Sequence, residues 1–163
     1  MNLPFLRVAL ATIQPAANPL APLTAYDGNW LVSPRPAAGE TQKIDHLTNH
    51  CHMADVFYTC EQVLNGKSMA LLVFSVGTVP GTLHSTIGLP DGSPGGKPGD
   101  LTIAGNHWTF LNSDAAGKPT FRLENYFKDR DHIHFEQYQP KPDGSSEKVG
   151  EGDEVRVQPL QKQ

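Results

Sequence analysis

The sequence has no apolar run approaching the roughly 18 residues that a membrane-spanning helix requires, so no helical span is expected and the chain reads as soluble. It has no basic cluster either: 13 Lys and Arg are scattered among 17 Asp and Glu, for a net charge of −4. That balance lacks the electrostatic footprint of a nucleic-acid binder, and no nucleic-acid partner is expected. Cysteine is scarce, with Cys51 and Cys60 alone. Cys51 lies between His50 and His52, but no second Cys/His pair follows at zinc-site spacing, so no metal site is assigned. Two readings of the cysteines stay open: a disulfide stapling a loop to the next strand in an exported protein, or buried thiols in a cytosolic one.

Helix signals are equally sparse. Leu47–Ala54 is the only segment with a case for one. Signatures of covalent catalysis are missing as well. There is no Gly-x-Ser-x-Gly elbow, and Gly92-Ser93-Pro94-Gly95-Gly96 is a loop rather than a strand-to-helix turn. Gly95-Gly96-Lys97 lacks the spacing and the following helix of a phosphate loop.

Turn chemistry is what the chain has in abundance. Its 163 residues include 15 Gly and 14 Pro, which fall between apolar segments rather than in one low-complexity block. A single domain of this length buries roughly 68–70% of its unfolded surface. Residues 1–25 stand apart from the rest. Arg7 followed by Val8-Ala9-Leu10-Ala11-Thr12-Ile13 has the outline of a secretory signal, cut short by Gln14-Pro15. Pro15, Pro19 and Pro22 then read as an extended arm. The division is therefore an N-terminal arm or signal-like segment over 1–25 and a β-barrel domain over 26–160. The compartment stays open between cytoplasm and export.

From Gly28 onward the pattern is a ladder of short strands. Gly28 to Ser33 comes first, and Asp55 to Leu64 alternates with Val56, Tyr58 and Cys60 on one face. Asn65-Gly66 marks a hairpin, because both positions tolerate positive φ. Its partner strand, Lys67 to Val76, is apolar on both faces through Met69–Phe74. Thr82–Leu89, Leu101–Ala104, His107–Asn112, Thr120–Lys128, His132–Gln139 and Val155–Val157 follow. Pro90–Gly99 reads as a rim loop or a plain solvated turn, and Pro140–Gly152 as a polar hairpin tip. The fold expected is all-β, a single antiparallel up-and-down β-barrel of 8–10 strands, in which closure satisfies every edge.

Gly28-Asn29-Trp30 on the first strand, ahead of a β-meander of about 130 residues, resembles the lipocalin-like (calycin) superfamily. The chain is also similar to uncharacterised bacterial members through Cys60-Glu61-Gln62-Val63-Leu64-Asn65-Gly66-Lys67 and Asp131-His132-Ile133-His134-Phe135-Glu136. The resemblance implies that the Trp30 indole packs across the closed end of the barrel and that the lumen takes a small ligand. It departs from typical lipocalins in having no clear helix after the barrel. Some calycin-like barrels hold haem through a late-chain His, but no haem attachment motif is present, and the cofactor is left unknown.

Candidate ligand-binding residues are Trp30, Tyr58, Phe74, His84, His107, Trp108, Tyr126 and Tyr138, which supply aromatic and imidazole surface for a pocket. Candidate catalytic residues are His132, His134 and Glu136, which share one strand face with Tyr138 while Ile133 and Phe135 share the other. Two imidazoles and a carboxylate suit proton transfer if that face points inward, with His84 or His107 meeting them across the lumen. They are a solvated outer wall if Ile133 and Phe135 point inward instead. A cupin is disfavoured, since Glu136 follows His134 too closely. Three functions compete: a binding barrel for a small apolar or amphipathic molecule, a barrel-interior isomerase, cyclase or hydrolase, and an interaction module with a filled barrel.

Overall fold

Period-two alternation between turn residues drives the chain into ten antiparallel strands, and the computed structural model describes residues 18–36, 46–95 and 98–158. In chain order the strands are β1 (Gly28–Pro34), β2 (Leu47–Ala54), β3 (Phe57–Leu64), β4 (Lys67–Val76), β5 (Thr82–Gly88) and β6 (Gly99–Ala104). They continue with β7 (His107–Ser113), β8 (Pro119–Phe127), β9 (His132–Pro140) and β10 (Ser146–Val157). Each pairs with its sequence neighbour, and β1 pairs back onto β10, closing an up-and-down barrel. The expected fold class is the one observed.

Three elements differ from the sequence reading. Leu47–Ala54, the one helix candidate, is strand β2. Its apolar and small residues recur at every second position, with Asn49 and Cys51 buried, and pairing on both sides with β1 and β3 decides between the two patterns. His50 and His52 therefore lie on this strand. Residues 1–17, with the signal-like segment, lie outside the described residues. The rest of the expected arm holds a 3-10 helix, Ala21–Tyr26, whose Pro22 suits a first-turn position. The polar hairpin tip is shorter than expected: β10 already starts at Ser146, and a bulge between Lys148 and Gly150 takes up the irregular residues.

The 3-10 helix caps one end of the barrel. Leu20, Leu23 and Tyr26 are buried there against Trp30, Trp108 and Phe127. Trp30 has no exposed surface, and its indole N–H donates to the Tyr26 carbonyl at 2.9 Å. The Arg156 guanidinium covers the other face of the indole at 4.3 Å and bonds Ala25, Arg130 and Asp131. Gly28 permits this approach: its φ is +112°, and a Cβ there would meet Arg156 Nη1 at 3.0 Å.

Cys51 and Cys60 face each other across β2 and β3, Cα atoms 4.1 Å apart, and form a disulfide on the inner face. Of the two cysteine readings, the bonded one is what the structure contains. Closing so short a loop is worth about 2–3 kcal/mol by loop-closure entropy. Replacing both cysteines with alanine is expected to lower the unfolding free energy by about that much in urea titration. Trp30→Ala is expected to remove about 3–5 kcal/mol, the range for emptying a buried aromatic site. Midpoints within error of the wild type would show that neither feature supports the barrel.

Candidate functional site

The pleat sends alternate residues of each strand into the lumen, and they do not fill it. Above the Trp30 layer lies a cavity of about 270 Å³. Its walls are apolar, with Phe74, Phe110, Leu123 and Phe135 prominent, and polar side chains lie among them. Burial falls along its length. Tyr26, Asn49, Asn125 and Glu154 are buried near the capped end, whereas Gln62, Ile87, Asn112 and Gln137 are half-buried farther from it. The cavity thus has a polar floor, an apolar middle and an amide-bearing mouth.

The β10 wall is thin. Gly152 faces Phe135 across the β9–β10 pair, and a Cβ there would lie 2.5 Å from both the Phe135 ring and the Ser33 carbonyl. Only glycine lets the Phe135 ring lean over β10 toward the cavity.

Glu154 is the chemical centre of the floor. Register places it beside Val32 on β1 and Ile133 on β9, and it is 5% exposed. The Tyr26 hydroxyl donates to Glu154 Oε2, and Asn49 Nδ2 donates to the same oxygen at 3.3 Å and to the Tyr26 oxygen at 2.9 Å. Burial pushes the Glu154 carboxyl up to about 7, partly offset by these two donors. Burial, and then the adjacent carboxylate, hold the Tyr26 phenol well above its ordinary range. Asn125 completes the floor from β8, beside Trp108 on β7 and Phe135 on β9.

The sequence candidates divide between the two faces of the barrel. Trp30, Tyr58, Phe74 and Trp108 face inward; all are buried, but only Phe74 lines the cavity, the others belonging to the packed end. His84, His107, Tyr126 and Tyr138 face outward. His84 pairs with Asp100 at 3.0 Å, and His107 reaches Glu124 at 2.6 Å while stacking on Tyr126 at 4.6 Å. Tyr138 donates to Glu136 at 2.7 Å and lies under Arg122.

His132, His134 and Glu136 are outside as well, because Ile133 and Phe135 take the inner face. His132 pairs with Asp129 at 2.9 Å in the preceding turn, and His134 with Asp153 at 3.0 Å. The arrangement in which these imidazoles meet His84 or His107 across the lumen is not formed.

That outer face is a network of compensated charge. His134, Glu136 and Glu151 are the one group of three among the described residues whose ligand atoms lie within 4.8 Å of one another. Lys148 already joins the two carboxylates, at 3.4 Å from Glu136 and 2.6 Å from Glu151, and Arg35 bridges Glu151 and Asp153. The Tyr138 hydroxyl, with Lys148, holds the Glu136 carboxyl below its usual range.

Sequence reasoning missed Glu154, Tyr26, Asn49 and Asn125. The signal lies in register: with Trp30 inward and paired to Arg156, Glu154 two residues back is inward too.

The raised Glu154 value has a consequence for stability. The folded lumen favours the neutral acid, so its contribution is complete below the ordinary value of 4.5 and is lost as pH rises through about 7. Between pH 5 and 8 the unfolding free energy should fall by about 2.5 kcal/mol from this group. Glu154→Gln should flatten that slope in urea titrations at several pH values. Parallel slopes for the two proteins would remove Glu154 as the cause.

Scanned against protein-family models and compared with curated proteins, the chain matches none, and the functional reading rests on the lumen itself.

Proposed function

We propose that the barrel binds a small amphipathic molecule in its lumen. The observation that carries this reading is the unfilled cavity of about 270 Å³, walled by phenylalanine and leucine above a hydrogen-bonding floor. A concave, mostly apolar pocket with a few placed polar groups is the usual form of a small-molecule site. The lipocalin-like character suggested by Gly28-Asn29-Trp30 and the closed meander supports the same reading, as analogy. The disulfide between β2 and β3 further favours an oxidising compartment for the protein.

A barrel-interior enzyme remains the second reading, now resting on different residues. A buried carboxyl held near 7 and lining a cavity is a candidate general acid or base, with the Tyr26 hydroxyl orienting it. Binding is the simpler function, since it needs only the cavity and its walls. Conversion of a bound molecule, seen by mass spectrometry of the released compound, would favour catalysis.

Leu123→Trp tests the binding reading. Leu123 lies in the cavity wall opposite Phe110 and is half-buried, so an indole there occupies ligand space without entering the packed end. The wild-type protein should enhance the fluorescence of N-phenylnaphthylamine, and Leu123→Trp should weaken this binding by about tenfold with unchanged circular dichroism. Equal binding by both proteins would place the fluorophore elsewhere and sink the reading.

A further inference from the structure

The floor of the cavity is one-sided in its hydrogen bonding. Asn49 and Asn125 are 7% and 2% exposed, both line the cavity, and each keeps a buried Oδ1 without a partner among the described residues. The orientation of Asn49 is set by its neighbours: its Nδ2 donates to Tyr26 and Glu154, so the remaining oxygen is the acceptor. The donors that reach Glu154 converge on Oε2. Asn49 Nδ2 lies 3.3 Å from Glu154 Oε2 and Asn125 lines the same cavity, so the floor offers acceptor oxygens on all three side chains beneath apolar walls.

Charge is one-sided too. Among the described residues the groups bonded to Glu154 are a phenol and an amide, with no cation. Arg156, two residues along β10, is committed to Asp131, to the Ala25 and Arg130 carbonyls and to the Trp30 ring. A buried acceptor left without a donor is unfavourable, and a buried carboxylate without a counter-charge shifts to its neutral form instead. The upward displacement of the Glu154 carboxyl agrees with this geometry.

Resting on the binding reading above, we propose that the ligand is an amine: an ammonium group donating to Glu154, Asn49 and Asn125, with an apolar body between Phe74, Phe110 and Phe135. An ammonium carries three donors and no acceptor, which suits a floor that presents acceptor oxygens. It also supplies the counter-charge that Tyr26 and Asn49 do not. A hydroxyl head would satisfy fewer of these oxygens, and a carboxylate head would set a second anion beside Glu154.

Three probes with the same phenyl body separate the head groups: phenethylamine, phenethyl alcohol and hydrocinnamate, each displacing N-phenylnaphthylamine from the wild-type protein at neutral pH. The amine should bind about tenfold or more tightly than the alcohol, and hydrocinnamate most weakly. In Glu154→Gln the advantage of the amine over the alcohol should shrink to within about threefold, with the alcohol itself little changed. Asn125→Leu should reduce the amine's affinity in the same direction, so the test does not depend on one variant folding. Equal affinities for all three, or tightest binding of hydrocinnamate, would overturn the amine proposal and leave the binding reading standing. No binding of any probe, the fluorophore included, would overturn both.

Discussion

Pairing of β1 with β10 is the constraint on which the rest of the molecule depends. It removes the last free edges of the sheet, so the backbone of the barrel wall is hydrogen-bonded all the way round. It also fixes which residues share the inner face. Trp30 opposite Arg156 and Val32 opposite Glu154 are consequences of one register, and a slip by one residue would reverse them all. The indole, sandwiched between the guanidinium and the Tyr26 ring, anchors that register physically.

Closure has a second effect, through the 3-10 helix. Leu23 and Tyr26 reach into the end of the barrel and convert an open tube into a cup. Tyr26 belongs to both layers: its ring packs on Trp30, and its hydroxyl holds Glu154. The same side chain thus seals the apolar end and builds the polar floor above it. Without the helix Glu154 would lose its closest hydrogen-bond partner, and the cavity would lose its base.

The outer face follows different physics. Its row of His107, Tyr126 and His134, with Glu124 and Asp153 attached, is held by cross-strand stacking and partly exposed ion pairs. Contacts of that kind add little stability each, because water screens them. Among the described residues the His132, His134 and Glu136 row is therefore wall, while the cavity is lined by one carboxyl, the Tyr26 phenol and a few amides.

The sequence alone determined the barrel. Period-two alternation, Asn65-Gly66 between two apolar strands and the Gly28-Asn29-Trp30 start are local signals, and local signals survive without knowledge of distant partners. Of the eight residues read as pocket lining, Trp30, Tyr58, Phe74 and Trp108 face inward and His84, His107, Tyr126 and Tyr138 face outward. Local alternation did not make that division. Nor was the site legible. Val155 and Val157 alternate with Glu154, and read locally they place valine inward and the carboxylate in water. Only pairing with β1 inverts this, leaving Val155 exposed at 37% and Glu154 buried. The His132-x-His134-x-Glu136 row was ambiguous until Ile133 and Phe135 took the inner face. Which side of a strand faces the lumen is a property of the closed sheet, set by contacts more than a hundred residues apart, and tertiary structure alone decides it.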